Sequence, residues 1–222
     1  MADSSAVRVI KDTTANPGAL GLMAFGMTTV LLNFHNAGIY ELNSMILAMG
    51  VFYGGLAQVF AGWMEWKKGN TFATVAFTSY GLFWLLLVGL LAPALGLFGK
   101  AGLLLAPSDT AMGWFFMFWA IFTGLMFIGT LKINRSLQTV FLSLTILFVL
   151  LAIRDWAGGG AAGAGGYYWG RIAGWEGIFV GLSAMYGSIA QIWNELYGRV
   201  VLPLGVVRPK EESNGPAAVP AK

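Results

Sequence analysis

The sequence has no cysteine among its 222 residues and a single histidine, His35. The first absence excludes disulfide bonds, thiolate catalysis and cysteine-ligated metals. The second excludes a metal site built from several histidines. The chain also lacks a Gly-Lys-Ser/Thr phosphate loop and a Gly-x-Ser-x-Gly elbow. We therefore predict that the protein is not an enzyme, binds no metal and uses no cofactor. A membrane hydrolase built on serine and aspartate alone is the remaining enzyme alternative.

Charged residues are scarce as well. They make up 10% of the chain, whereas hydrophobic residues make up 57%. A typical soluble domain carries about 25% charged residues. The net charge of +3 is too small and too scattered for a nucleic-acid surface. This composition predicts an all-α integral membrane protein with the lipid bilayer as its surroundings.

Six apolar stretches approach the length of about 20 residues that a helix needs to cross a bilayer. The predicted transmembrane helices are about 18–36, 44–66, 71–92, 111–131, 137–153 and 174–194. They form one transmembrane domain, 16–205, between a polar N-terminal segment, 1–15, and a disordered C-terminal tail, 206–222. The Gly/Ala-rich stretch 158–166 predicts a flexible outer loop that ends in interfacial aromatic residues.

Lysine and arginine are unequally divided between the two ends of the predicted bundle. Ten lie on the side that holds both termini and three lie on the other side. Cytoplasmic loops carry the excess of these residues. We therefore predict a multi-pass protein of the cell (inner/plasma) membrane with both termini in the cytoplasm.

Polar residues within the spans form stripes on three helices. The stripes and their apolar neighbours are Phe25, Thr28, Thr29, Leu32, His35 and Asn36; Thr74, Thr78 and Gly81 beside Phe77, Tyr80 and Trp84; and Ser136, Thr139 and Ser143 beside Val140, Leu144 and Leu147. One interpretation is a pore of hydroxyls narrowed by aromatic and aliphatic side chains. The other is that each hydroxyl bonds the carbonyl four residues earlier and packs between helices.

No lysine or arginine lies in the middle of a predicted span, so a translocated anion would meet neutral groups and leave as readily as it enters. Glu65, Glu176 and Glu195 are predicted to be interfacial carboxylates, and His35 to have a structural role. At Asn16-Pro17-Gly18, an N-cap residue precedes a proline at the first helical position. The free N–H groups of such a helix start can hold a carboxylate.

One hexapeptide has an echo elsewhere in the chain. Residues 53–58, Tyr-Gly-Gly-Leu-Ala-Gln, resemble residues 186–191, Tyr-Gly-Ser-Ile-Ala-Gln. The two segments fall in predicted helices that run in the same direction, which differs from a simple inverted repeat. Chance and common ancestry both remain open.

Residues 16–22, Asn-Pro-Gly-Ala-Leu-Gly-Leu, resemble the signature Asn-Pro-(Ala/Val)-Pro-Leu-Gly-Leu of the acetate uptake transporter family, the succinate–acetate permeases. Further matching motifs are Phe25-Gly26-Met27-Thr28-Thr29, Asn33-Phe34-His35-Asn36, Phe52-Tyr53-Gly54-Gly55, Gly69-Asn70-Thr71-Phe72, Ala76-Phe77-Thr78-Ser79-Tyr80-Gly81 and Gly198-Arg199-Val200-Val201-Leu202-Pro203. The likeness covers about 16–205. Two features depart from the pattern: Ala19 replaces the second proline, and the loop 158–166 is longer than expected.

The resemblance implies a six-helix protomer with both termini inside and a homo-oligomer in the form of a ring-shaped hexamer. It implies passage of acetate and related monocarboxylates, with succinate for some members and protons as the coupled ion in symporters. It places a hydrophobic constriction at Phe25, Tyr80 and Leu144 and a position tied to substrate choice at Ala184. Residues offered as neighbours of the carboxylate sites are Thr28, Thr29, Thr78 and Ser79, with Asn16 and Pro17 at the pathway's end.

Two other hypotheses remain open on the sequence alone. One is a channel for another small solute, such as ammonia or a short amide. The other is a structural membrane protein without transport. For a carboxylate carrier, the lack of a titratable residue in the middle of the spans favours a channel-like mechanism over proton coupling.

Overall fold

The computed structural model describes residues 14–91, 107–159 and 165–207. Across these ranges the chain forms six long helices, and its one pair of bridged β residues lies outside any strand. We number the helices α1 to α6: Pro17–Asn36, Ser44–Lys67, Thr71–Leu91, Asp109–Thr130, Arg135–Trp156 and Gly166–Leu196. The all-helical prediction is confirmed, and the described ranges contain six long helices, as predicted.

Five of these helices, α1 to α5, are long and apolar enough to cross a membrane. The sixth has 31 residues and is less apolar, because it includes Arg171, Glu176 and Glu195. Its predicted start at residue 174 is wrong, since α6 begins at Gly166. The aromatic residues 167–169 are therefore helical, and of the predicted loop 158–166 the part 160–164 lies outside the described residues.

Polar side chains define where the helices begin. Caps at the starts of four helices are provided by Asn16, Asn43, Ser108 and Asn134, each of which accepts a hydrogen bond from a backbone N–H of the first turn. Gly69 ends α2. Its φ is 72°, a left-handed conformation that terminates helices and that glycine adopts without steric cost.

Glycine allows α1 to lie directly against α6. A Cβ atom at Gly26 would lie 2.7 Å from the Gly181 carbonyl oxygen, so neither helix has room for a side chain at this crossing. Similarly, a Cβ atom at Gly54 of α2 would lie 2.8 Å from the methyl group of Thr28. Close backbone approach through small residues is how membrane helices gain packing energy without a hydrophobic driving force.

The chain after α6 folds back onto the start of α5. Asn194 accepts hydrogen bonds from the backbone N–H groups of Val201 and Leu202 at 2.6 and 3.0 Å. Further along, Val206 forms a bridge with Asn134, and the Val207 N–H donates to the Ile133 carbonyl at 3.0 Å. Residues 206 and 207 thus pair with the α4–α5 connection, although the sequence assigns them to a disordered tail. The rest of that tail, 208–222, and the segment 1–13 lie outside the described residues.

Candidate functional site

The described residues line two cavities within the helix bundle. The larger has a volume of about 560 Å³, and we call it the wide cavity. The smaller has a volume of about 90 Å³, and we call it the narrow cavity. Phe25 of α1 and Leu144 of α5 line both of them. Phe25 and Leu144 therefore belong to an apolar layer at which the two cavities adjoin.

This layer is closely packed. Phe25, Tyr80 and Leu144 are 5%, 3% and 3% exposed, and the rings of Phe25 and Tyr80 lie 5.9 Å apart. The Tyr80 hydroxyl donates to Thr123 Oγ1 at 2.9 Å, and the Thr123 hydroxyl in turn donates to the Trp119 carbonyl at 2.7 Å. Because these bonds fix the ring of Tyr80 against α4, the layer is held from three helices in addition to α1.

The wall of the wide cavity is mainly aliphatic and aromatic, and its polar groups are amides and one carboxylate. The polar lining residues are Asn16, Gln58, Glu65, Asn70, Asn134 and Gln191. The apolar lining residues include Leu22, Ala76, Phe77, Leu137, Val140 and Phe141. The wall of the wide cavity therefore offers both hydrogen-bonding groups and bare apolar surface, which includes Phe25 and Leu144.

Two hydrogen-bonded pairs organise the polar groups. Asn16 Nδ2 donates to Gln191 Oε1 at 2.7 Å, which joins the start of α1 to α6. Asn70 Nδ2 donates to Glu65 Oε2 at 2.8 Å. Glu65 lies near the end of α2, is 4% exposed and lines the wide cavity, so this predicted interfacial carboxylate is also part of the cavity wall.

Gln58 has an unpaired acceptor. Its side chain is 1% exposed and lines the wide cavity, and within the described part of the chain its Oε1 has no hydrogen-bond partner. Leaving a buried acceptor unpaired costs about 1–3 kcal/mol. Gln58 follows directly after the π-helical turn Met49–Ala57, a local geometry that is frequent at functional sites. The unpaired oxygen therefore lowers the stability of the fold, and its place in the cavity wall makes it available as a hydrogen-bond acceptor for a solute.

The sequence contained signals for some of these residues. Gln58 and Gln191 end the two echoed hexapeptides, and both line the wide cavity. Glu65 lies seven residues after Gln58 in α2, so both side chains lie on one helix face two turns apart. Asn70 and Asn134 gave no comparable signal, because each lies just before a helix, where asparagine is expected as a cap.

The predicted hydroxyl neighbours behave as packing groups. Thr28 and Thr29 donate to the carbonyls of Ala24 and Phe25 at 2.8 and 2.7 Å. Thr29 lines the narrow cavity, whereas Thr28 is buried against α2. Bonds of this kind favour the packing interpretation of the stripes.

Thr78 and Ser79 lie away from both cavities, as far as the described residues define their walls. Thr78 lies in a surface groove between α2 and α3, and Ser79 is half-buried. Ser136 and Thr139 likewise line a groove on the outside of α5. The cavity wall is formed instead by the neighbouring apolar stripes, including Tyr80 and Leu144.

The other predicted positions divide between wall and core. Asn16 lines the wide cavity, and Pro17 is buried beside it at the first helical position of α1. Ala184 is fully buried in the apolar cluster that also contains Phe25 and Leu144, and it is not among the described residues that line either cavity.

The narrow cavity has a different lining. Asn36 Nδ2 donates to Asn33 Oδ1 at 2.9 Å, and the ring of His35 lies with Nδ1 at 3.1 Å from the Tyr40 carbonyl. Its wall also includes Arg154, in the last turn of α5. Arg154 lies at a helix end and not in the middle of a predicted span, and it places a cation in the wall of the narrow cavity.

Comparisons with known proteins agree with this architecture. The chain is 53% identical over 191 residues to the succinate-acetate/proton symporter SatP of Escherichia coli (strain K12), which covers 86% of this chain and 95% of that protein. It is 33% identical over 204 residues to acetate permease A of Emericella nidulans, with 86% of this chain and 65% of that protein covered. The solved structure of the bacterial acetate channel SatP has a TM-score of 0.78 and 52% identity, and the match covers 87% of this chain and 100% of that one.

These relatives are named as transporters or as a channel, which supports the non-enzyme prediction at the level of the family. Their names and the apolar helices together identify a multi-pass membrane protein. The GPR1/FUN34/yaaH family matches residues 2–205. The resemblance to the succinate–acetate permeases is thereby confirmed, and the chain belongs to the GPR1/FUN34/yaaH family.

Proposed function

We propose that this protein carries acetate and related small monocarboxylates across a membrane through a passage in each protomer. The passage consists of the wide cavity, the layer of Phe25, Tyr80 and Leu144, and the narrow cavity. The observation that carries this proposal is that Phe25 and Leu144 line both cavities. The similarity to acetate carriers supplies the solute class.

In this mechanism a carboxylate exchanges part of its hydration shell for amide groups of the wide cavity. Gln58 and Asn16 lie in its wall, and the first-turn N–H groups of α1 begin beside Asn16. Backbone N–H groups at a helix start favour an anion. None of these groups is a full positive charge, so the bound carboxylate is able to leave again.

The constriction provides selection by size and excludes water. The three side chains are apolar apart from the Tyr80 hydroxyl, which is already used in a bond to Thr123. A small acid passes when Phe25 and Leu144 move apart by a side-chain rotation, whereas succinate requires a larger opening. Ala184 influences this choice indirectly, through packing against the cluster to which Phe25 and Leu144 belong.

Several sequence-predicted residues support the passage rather than line it. Thr28 fixes the approach of α2 to α1, and Pro17 fixes the start of α1. Thr78, on the same helix as Tyr80, packs against Gly62 of α2, where a Cβ atom would clash with it, and Ser79 is half-buried on that helix. Thr29 is the one hydroxyl of this group that faces a cavity directly.

Passage is channel-like in this proposal, and protons are not obligatorily coupled to it. Among the described residues, the constriction contains no carboxylate, lysine, arginine or histidine. Glu65 is the nearest acid in the wall of the wide cavity, where Asn70 already binds one of its oxygens. A proton relay across the constriction would need a further titratable group.

The protein is proposed to lie in the cell membrane with both termini in the cytoplasm, which places the wide cavity on the cytoplasmic side. The uneven distribution of lysine and arginine supports this orientation. We also propose a ring-shaped homohexamer. Large apolar side chains that are exposed on the protomer, such as Phe52, Phe118 and Leu125, are available for lipid and for neighbouring copies.

The test is uptake of labelled acetate into proteoliposomes at zero membrane potential, with and without a pH gradient. The proposal predicts uptake above the leak of the neutral acid in empty liposomes, equilibration without concentration, and a current when a potential is applied. Uptake concentrated by the pH gradient would contradict the channel-like mechanism. Flux of ammonia that acetate does not inhibit, or no flux at all, would contradict the solute assignment.

A further inference from the structure

Arg154 is the one lysine or arginine among the described residues that lines either cavity in the bundle. It lies in the last turn of α5, and its side chain is 18% exposed. Its guanidinium carbon lies 5.6 Å from the centre of the Phe116 ring on α4. On the α6 side, a Cβ atom at Gly170 would lie 3.3 Å from Arg154 Cδ. The side chain of Arg154 therefore lies against both α4 and α6.

One hydrogen bond orients the guanidinium. Arg154 Nε donates to Asp155 Oδ1 at 2.6 Å, and the carboxylate is 6% exposed. A guanidinium has five N–H donors, and this bond uses one of them. No hydrogen bond from Nη1 or Nη2 to another described residue accompanies it. Four donors thus remain, and they belong to a side chain that forms part of the cavity wall.

The remaining donors have the geometry that a carboxylate requires. The two Nη groups of a guanidinium lie in one plane and bind two carboxylate oxygens at once, which a lysine ammonium does not do. The wall of the narrow cavity also includes Asn36 and His35. The space is about 90 Å³, which matches a solute of a few heavy atoms rather than a large one.

We propose that the Arg154 guanidinium is a carboxylate-binding site at the narrow cavity, and that Asp155 positions it and weakens its hold on the bound anion. This inference rests on the proposed function, because it assigns a second binding step in the same passage. Asp155 Oδ2 is buried and has no hydrogen-bond partner among the described residues, so the bond to Arg154 Nε is the one hydrogen bond that they give this carboxylate. Partial neutralisation by Asp155 keeps the site from trapping its solute.

The simpler alternative is a structural ion pair. Arginine in the last turn of a helix is favourable because it faces the negative end of the helix dipole. In that case Arg154 would affect stability and leave solute binding unchanged. The two accounts also differ for Asp155: weakening the pair would strengthen solute binding in ours and would only destabilise the helix end in the alternative.

The absence of cysteine from the sequence allows a direct binding assay. An Asn36→Cys substitution introduces one thiol into the wall of the narrow cavity. Protection of that thiol from a small alkylating reagent by acetate measures occupancy in the purified full-length protein, without any transport. The same titration is then repeated with Arg154→Gln, Arg154→Lys and Asp155→Asn in the Asn36→Cys background, together with acetate flux in proteoliposomes.

Arg154→Gln is expected to raise the acetate concentration for half protection by about tenfold, the scale of a lost charge-assisted hydrogen bond. For Arg154→Lys, the acetate concentration for half protection is expected to lie between the values for Arg154→Gln and the parent. This variant keeps the positive charge and loses bidentate binding, so it distinguishes the two contributions. Asp155→Asn, which still accepts from Nε, is expected to lower that concentration several-fold and to slow maximal flux. The matched control is Arg171→Gln, because Arg171 is exposed on α6 and donates to the Tyr167 hydroxyl at 3.2 Å. Arg171→Gln is expected to change neither the acetate concentration for half protection nor the maximal flux.

Unchanged protection in Arg154→Gln and Arg154→Lys, both with parental thermal stability, would overturn this inference and leave the proposed function standing. Protection that strengthens in Asp155→Asn and weakens in Arg154→Gln would support it. If the parent protein carried no acetate but showed protection dependent on Arg154, the proposed function would fail and the binding site would stand. If Arg154→Gln did not fold, Arg154→Lys and Asp155→Asn would decide the matter by the opposite signs of their effects.

Discussion

The wide and narrow cavities share two side chains and differ in almost everything else. The wide cavity, about 560 Å³, carries amides and the carboxylate of Glu65. The narrow cavity, about 90 Å³, carries a guanidinium and a histidine. The two cavities therefore differ in chemistry, because an acidic side chain, Glu65, lines one and a basic side chain, Arg154, lines the other. In our account the wide cavity binds solutes weakly and with little selectivity, and the narrow cavity selects a small carboxylate.

The constriction between them should give the largest effect. Leu144→Ala removes a buried side chain from the shared wall, so we expect the ratio of succinate to acetate flux to rise about tenfold, the scale on which apolar pockets discriminate by size. The cavity left behind should also lower the free energy of unfolding by about 2–5 kcal/mol. The measurement is flux of both labelled acids in proteoliposomes.

Leu142→Ala is the matched control, since Leu142 lies on the same helix and is 48% exposed. Its flux ratio should equal that of the parent. A parental ratio in Leu144→Ala as well would show that size selection occurs elsewhere and that the shared layer is only a packing feature.

The next largest effect should come from the wide cavity. Gln58→Leu removes the unpaired buried oxygen, so we expect the free energy of unfolding to rise by about 1 kcal/mol. Acetate flux should fall by about fivefold, comparable to the loss of one neutral hydrogen bond to the solute. Chemical unfolding in detergent and acetate flux measure the two quantities. Loss of both stability and flux would mean that Gln58 is structural, and an unchanged flux would remove it from the passage.

A smaller effect is expected for the support of the constriction. Tyr80→Phe removes the bond to Thr123 but keeps the ring beside Phe25. The free energy of unfolding should fall by about 1 kcal/mol, while acetate flux should stay within about twofold of the parent, because the ring and not the hydroxyl faces the solute. A tenfold loss of flux with normal stability would instead indicate direct contact between the hydroxyl and the anion.

The smallest effect is expected for the hydroxyl stripes. Thr78→Val keeps the shape of the side chain and removes a hydroxyl that lies in a groove outside both cavities. Acetate flux and half-saturation should remain those of the parent within experimental scatter. A clear loss of acetate flux in this variant would favour the interpretation of a hydroxyl-lined pore. It would contradict our proposal that the solute passes through the cavities and not along the outer grooves.

Helix number and most helix ends were predictable, because apolar length and polar caps are local properties of the sequence. The start of α6 was missed, since Gly166 ends a stretch with six glycines among the nine residues 158–166, and glycine has weak helix propensity. In the folded chain Gly166 lies against the backbone of Arg154 at the end of α5. The resemblance, and not periodicity, singled out Phe25, Tyr80 and Leu144.

The direction in which each stripe faces was not predictable from periodicity alone. In a soluble protein, the polar face of a helix points to water. A membrane helix is apolar on most sides, so the polarity of Thr78 and Tyr80 does not tell which of them faces a cavity and which faces lipid. Glu65 was assigned to the interface from its place near the end of a span. Its burial depends on Asn70 and on the approach of α1, which only the folded chain reveals.

The most direct test of the central claim is one-sided labelling of two single thiols, Ala73→Cys in the wide cavity and Asn36→Cys in the narrow cavity. A charged, membrane-impermeant reagent is applied to one face or the other of sealed vesicles that contain oriented protein. Our account predicts that the thiol at position 73 reacts from one face, that the thiol at position 36 reacts from the opposite face, and that acetate slows both reactions. Reaction of both thiols from the same face, or no protection by acetate at either position, would contradict a passage divided by Phe25 and Leu144.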